Sequence, residues 1–233
     1  MKLKLRRSDE RGYADHGWLQ SRHTFSFADY YDPAHMGFRS LRVINEDHIA
    51  PGAGFPTHPH RDMEIFSYIV SGVLEHRDSM GNRRQLMPGQ IQLMRAGTGV
   101  THSEFNPLPA EKVHLLQIWI QPRKTGLVPA YTEWVPSPET QRSGKVLVIS
   151  PDGREGSAVI EQDVRVYLVR LKDGQTLTHD LAEGRGMWFQ LIKGTMQIAS
   201  GRLAAGDAAY TEEAGLFEAS GCGEVEALLF DFA

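Results

Sequence analysis

Short apolar or alternating runs, punctuated by glycine and proline, follow one another along the whole chain. In the first half they span residues 40–44, 63–70, 73–77, 90–96 and 113–121, and in the second half residues 146–149, 164–170, 187–192, 195–198 and 225–232. Interruptions fall about every ten residues, the rhythm of strands in an antiparallel sandwich or barrel. In the first half, apolar spacing at i, i+3, i+4 never runs far without meeting a glycine or proline, so long helices are not expected there. Ser79-Met80-Gly81-Asn82 has turn composition and joins two of the runs as a hairpin. The opening Met1-Lys2-Leu3-Lys4-Leu5-Arg6-Arg7 alternates basic and apolar residues and also reads as a strand. The expected fold class is all-β.

Residues 133–145 lose the apolar periodicity and hold two prolines, which places a linker there and divides the chain into residues 1–136 and 137–233. The halves echo each other. Gly174, His179, Gly194, Gly206 and the last strand fall in an order like that of Gly52, His58, Gly72, Gly89 and the strand through Trp119, a faint internal repeat. In the second copy Asp180 and Leu181 follow His179 where another imidazole would be needed, so the second half reads as scaffold.

Composition narrows the function classes. With 41% hydrophobic and 23% charged residues over 233 positions, the chain can bury a sizeable core. A net charge of -4 and a pI near 6.2 give no electrostatic footprint for nucleic acid or an anionic membrane. No apolar run is long enough to span a bilayer, and the N-terminus lacks the apolar segment of a signal peptide. Cys222 is the only cysteine, so no intramolecular disulfide can form, and a cytoplasmic location is expected. Lying between Gly221 and Gly223, it reads as a turn thiol with no activating neighbour.

The chemistry concentrates in His58-Pro59-His60 and His102-Ser103-Glu104. Side chains two apart on a strand share a face, so each pair presents both its donors to one side. Pro59 holds His58 in the extended region, as that geometry requires. If the two strands face one cavity, three imidazoles and a carboxylate converge as a metal site. Glu64 lies four residues after His60, an even step that keeps it on the same face if the strand is unbroken, and it is expected to orient a ligand imidazole. Parity puts His114 and Gln117 on opposite faces, Trp119 sharing that of Gln117, and His114 is expected outside the site. His16, His23, His35, His48, His76 and His179 have no partner at ligand spacing and are left as structural or solvent-facing. Phe25, Phe27, Tyr30 and Tyr31 form an aromatic group, expected to be core or wall, with a stacking wall for a flat substrate as the sharper option.

These residues carry a resemblance. Gly52, five residues, His58-x-His60, three residues, Glu64, seven residues and Gly72 resemble the first motif of the cupin superfamily, one residue longer at its end. Gly89, five residues, Arg95-Ala96-Gly97, four residues, His102, three residues and Asn106 resemble the second, with Arg95 where proline is usual and two extra residues before the histidine. The stretches from His23 to Pro33, Thr57 to Glu64, Asp78 to Asn82 and Ala96 to Asn106 are similar to signatures of the pirin branch and cover most of residues 12–121. The C-terminal half resembles that family mainly by layout.

What the resemblance implies is a bicupin, two tandem antiparallel β-barrel domains of jelly-roll type, with one metal in the N-terminal barrel held by His58, His60, His102 and Glu104. In most cupins the position of Glu64 supplies the carboxylate ligand, whereas in pirins it comes two residues after the second-motif histidine, at Glu104. Imidazole and carboxylate without thiolate suit Fe2+, with Mn, Ni, Cu or Zn as alternatives. Bacterial pirins are described as quercetin 2,3-dioxygenases, which implies a small aromatic or enolic substrate and O2, the metal as Lewis acid and template, and Glu104 as candidate base. Eukaryotic pirins are described as iron-containing transcriptional co-regulators, so the alternative is an iron-dependent redox sensor acting through a protein partner. A cupin isomerase or sugar-binding module would call for a more basic pocket.

Overall fold

The computed structural model describes every residue except Arg142 and Ser143. Its strands are β1 (Lys4–Arg6), β2 (Gly12–Asp15), β3 (Leu19–His23), β4 (Leu41–Ile49), β5 (Gly54–His60), β6 (Glu64–Ser71), β7 (Leu74–Asp78), β8 (Arg83–Leu86), β9 (Ile91–Arg95), β10 (Val100–Phe105), β11 (Val113–Ile120) and β12 (Ala130–Trp134). They continue as β13 (Lys145–Ser150), β14 (Ala158–Val159), β15 (Val164–Leu171), β16 (Thr176–Leu181), β17 (Gly186–Ile198), β18 (Gly201–Ala204), β19 (Ala208–Thr211) and β20 (Gly215–Phe232). Among the described residues the only helical turns are the short 3-10 segments Ser8–Glu10 and Arg154–Gly156, and no helix is long and apolar enough to cross a membrane. The all-β expectation holds.

Two units form, and neither is one continuous piece of chain. One comprises Gly12–Pro136 with Ile160–Gln162, the other Met1–Arg11, Ser137–Val159 and Asp163–Ala233. A single cut at 136/137 therefore puts Met1–Arg11 and Ile160–Gln162 on the wrong sides. The cause is the alternating N-terminal segment: β1 pairs antiparallel with β19, Lys4 opposite Tyr210, and Leu3 and Leu5 pack on the core of the second unit. The expected linker at 133–145 is also shorter at its start, because Ala130–Trp134 pairs with β9, and its residues Arg142 and Ser143 lie outside the described residues.

In the unit holding the histidine pairs, a seven-stranded sheet, β12-β9-β6-β11-β4-β3-β2, lies against a four-stranded one, β5-β10-β7-β8. Alternation decides what each strand buries. On β4, Leu41, Val43, Asn45, Asp47 and Ile49 are buried while Arg42, Glu46 and His48 are half-exposed. The interior is layered. Leu19, Ile49, Ile69, Leu74, Leu86, Val113 and Leu115 close one end, and Ile65, Met94 and Val100 the other. Between them runs a polar row, one residue per strand: His23, Asn45, Gln117, Ser67 and Gln92 stand opposite one another in register across β3, β4, β11, β6 and β9. All five are at most 6% exposed. A polar row buried in a sheet must find partners, since an unsatisfied polar group there costs about 1–3 kcal/mol.

The other unit is a nine-stranded sheet around Phe189, Leu191, Phe217, Val225 and Leu229. Residues 187–192 and 195–198, read as two strands parted by Gly194, are one strand, β17, with register shifts between Leu191 and Thr195. Gly194 makes this possible: at φ 82, a Cβ on it would lie 2.0 Å from the Glu224 carbonyl oxygen. The last strand likewise begins at Gly215, and exposed Cys222 sits within it opposite Thr195, not in a turn. His179 is buried 3.3 Å from Asp231. Among the described residues this unit brings together no trio of histidine, cysteine or acidic side chains at metal-ligand distances.

Candidate metal centre

β5 and β10 pair antiparallel with His102 opposite His58, and the register shifts at once, Glu104 standing opposite Phe55. This bulge gives β5 three residue steps where β10 takes two, and bulges commonly re-aim side chains beside active sites. The strands approach so closely there that a Cβ on Gly54 would lie 2.1 Å from the Glu104 carbonyl oxygen.

The pairing brings His58, His60 and His102 together, with ring nitrogens all within 4.8 Å of one another. His60 Nε2 and His102 Nε2 are 2.9 Å apart. Burial, followed by the neighbouring imidazoles, pushes the pKa of His60 down to about 4 and that of His102 down to about 3. Both are neutral at physiological pH, with ring lone pairs available to a cation. The outer nitrogens fix which atoms face inward. His58 Nδ1 donates to the Pro56 carbonyl at 2.8 Å, leaving Nε2 as its acceptor atom.

His102 is oriented by a chain of groups. Its Nδ1 lies 3.5 Å from His76 Nδ1, and His76 Nε2 lies 3.1 Å from Asp78 Oδ2. The carboxylate can only accept, so His76 Nε2–H donates to Asp78, His76 Nδ1 accepts, and His102 donates from Nδ1, which leaves Nε2 bare beside His60. His76 and the Asp78 side chain are fully buried. Sequence spacing leaves His76 as structural or solvent-facing; strand pairing brings it beside His102, since β7 sets it opposite Glu104. The one available signal is parity on the strand leading into the Asp78 hairpin.

Glu104 belongs to a second group, within 4.8 Å of the ring nitrogens of His76 and His102, so His102 is common to both groups. Its carboxylate rests on the polar row. Oε1 accepts from Ser67 Oγ at 3.1 Å and Gln92 Nε2 at 2.8 Å, and Oε2 from Gln117 Nε2 at 2.7 Å. Three neighbouring strands of the facing sheet thus hold one carboxylate. The amide of Gln117 is itself set by Trp119 Nε1, which donates to its oxygen at 3.3 Å.

Glu64 does not orient an imidazole. Its oxygens accept the backbone N–H groups of Glu161 and Gln162 at 2.7 and 3.0 Å. The even-step argument fails because the strand is broken between His60 and Glu64, where Asp62 adopts φ 49. His114 points away as expected, 3.0 Å from Glu46 and stacked on His48 at 4.1 Å. His35 bonds Asp32 at 2.7 Å.

Beside the imidazoles opens a cavity of about 500 Å³. Trp18, Phe27, Phe55, Pro56 and Trp119 give it flat apolar walls, and His58 and His60 lie in its lining. Trp119 meets His60 edge-on at 4.8 Å and Phe27 at 5.5 Å. The aromatic group near residue 30 therefore divides: Phe27 is wall, Phe25 is core, Tyr30 stacks on His23 and Tyr31 is exposed. His16 and His23, expected from spacing to be structural or solvent-facing, also line the cavity.

The donor set fits a divalent transition ion, with imidazole nitrogens converging and an anchored carboxylate beside His102. Fold and donor set together define a bicupin with a candidate metal site among the histidines of one β unit. The Pirin profile matches residues 4–120, and a profile described as the quercetinase C-terminal cupin domain matches residues 147–232. The quercetin 2,3-dioxygenase of Escherichia coli (strain K12) is 47% identical over 98% of both chains. A pirin-like protein of Caulobacter vibrioides is 38% identical over 97% of both. The crystal structure of the bacterial pirin YhhW from Escherichia coli in complex with nickel(II) has a TM-score of 0.94 at 44% identity, covering 99% of each chain. The chain belongs to the pirin family.

Proposed function

We propose that this protein is a metal-dependent dioxygenase that opens the flavonol ring of quercetin, or of a similar enol, with O2. The observation that carries the reading is the convergence of the His58, His60 and His102 nitrogens at the edge of an aromatic-walled cavity. The 47% identical relative named quercetin 2,3-dioxygenase supports the substrate class. His58, His60, His102 and Glu104 would hold the ion, Fe2+ being the one proposed for this donor set. When bound, it supplies Lewis acidity toward an enolic hydroxyl and a template for the two reactants.

The protein's own residues supply position and proton transfer. Glu104 accepts the enolic proton, and Ser67, Gln92 and Gln117 hold its carboxylate in one orientation. The Asp78–His76 pair holds His102 with Nε2 turned inward. Trp119, Phe27 and Phe55 exclude water and favour a flat substrate. Overall, flavonol and O2 become carbon monoxide and a depside that keeps the remaining atoms.

Protein purified without added metal should contain a transition ion and turn over quercetin well above air-oxidation controls. His58→Ala and His102→Ala should each lose the ion, and Glu104→Gln should lower turnover by about 100-fold or more. Turnover at the background rate, or metal retained in both alanine variants, overturns the reading.

A further inference from the structure

Several of the pocket's polar side chains already have hydrogen-bond partners. Asn45 Oδ1 is bonded to His23 at 2.8 Å, Gln117 to Glu104 and Trp119, and His58 Nδ1 to the Pro56 carbonyl. Asp47 keeps one oxygen without a partner. It lines the same cavity on the inward face of β4, is 2% exposed, and its Oδ1 is buried with no hydrogen-bond partner. Its other contact is with Ser21, which faces it across β3.

Position separates Asp47 from the metal centre. Asn45 stands opposite Gln117, the residue that holds Glu104, whereas Asp47 stands opposite Leu115, two residues along. Two strand residues span about 7 Å, roughly the width of an aromatic ring with its substituents. The cavity's walls are largely aromatic, and its lining contains no lysine or arginine. A buried acceptor in a cavity of this kind fixes the orientation of a largely apolar ligand through one polar group.

We propose that Asp47 is a specificity-determining residue, whose carboxyl receives a phenolic hydroxyl on the part of a flat aromatic ligand remote from the reacting enol. Burial, opposed by the Ser21 hydrogen bond and reinforced by the Glu104 and Glu46 carboxylates, pushes the pKa of Asp47 up to about 7. Near neutral pH the group is present in both forms, able to give or take a proton in a hydrogen bond, as a hydroxyl partner does. The assignment rests on the flavonol reading of the same cavity and adds to it the residue that selects hydroxylated substrates. A site built to bond a hydroxyl discriminates against the analogue lacking it, because the protein's own polar atom is then left unpaired.

The test compares the binding of two probes by three proteins, read from tryptophan fluorescence of the metal-loaded protein under anaerobic conditions. The probes are a flavonol hydroxylated on its pendant ring and the same flavonol with that ring bare. The proteins are the parent and Asp47→Ala, with Asp47→Asn as a volume-matched second variant and thermal melts to confirm folding. The parent should prefer the hydroxylated probe by about tenfold or more, the scale of one hydrogen bond. Asp47→Ala should erase that preference, with the loss of affinity confined to the hydroxylated probe. Equal weakening of both probes, or an unchanged preference, overturns the role of Asp47 alone. Failure of both probes to bind the parent overturns the flavonol reading and the assignment that rests on it.

Discussion

His76 acquires its meaning from two distances, 3.1 Å to Asp78 and 3.5 Å to His102. A ligand imidazole whose far nitrogen is left unheld can present the wrong tautomer, and loss of such an outer partner typically weakens metal binding about 10–100-fold. His76→Phe, which keeps a ring in place and leaves Asp78 free to bind the Met80 and Asn82 backbone N–H groups, should show a loss of that size in titrations of metal-free protein. Nitrogen NMR of His102 should report a shift away from the Nδ1–H tautomer. Unchanged affinity with an unchanged tautomer would remove His76 from the site. Asp47 permits a second measurement at this scale, of stability against pH. Its folded pKa of about 7 lies above the ordinary value of 3.8, so between these values the folded protein keeps a proton that the unfolded chain has released. Stability contributed by this group therefore falls as pH rises from about 4 to about 7, by at most about 1.4 kcal/mol per pH unit. Relative to the parent, Asp47→Asn should gain stability across that window in denaturant titrations at pH 5 and pH 7.5. A constant difference would show that the carboxyl is ionised throughout.

At the scale of the strand pair, the centre depends on how closely β5 and β10 approach. Gly54→Ala places a methyl group against the Glu104 carbonyl, and the atom it meets is backbone that cannot rotate away. The expected cost is about 1–3 kcal/mol of stability, with reduced metal content at equal folded protein, measured by denaturation and metal analysis. A variant that melts and binds as the parent does would show that the bulge can absorb the methyl. The two histidine pairs are legible in the sequence because strand parity is local: it ties His58 to His60 and His102 to Glu104 with no knowledge of distant segments. Register between strands is not local. Nothing in the spacing puts His76 opposite Glu104, or lines up His23, Asn45, Gln117, Ser67 and Gln92, because each of those matches joins segments that are distant in the chain. Glu64 marks the limit of parity itself, which lapses where Asp62 turns the chain.

Across the whole molecule, the all-β class is readable from the glycine and proline rhythm. What the rhythm cannot show is exchange between units. The alternating basic and apolar segment through Lys4 is a strand in either unit, and only the partner, β19, decides which. That partner has a consequence for synthesis. Lys4 leaves the ribosome long before Tyr210, the residue it pairs with. While the unit holding the histidine pairs is being made, Leu3 and Leu5 have no place to dock, and their core is completed only once β19 and β20 have followed. The nascent chain must therefore carry β1 exposed until the second unit has been made. In such a segment the alternating lysines and arginines serve as gatekeepers, keeping a waiting strand in solution until the sheet it belongs to exists.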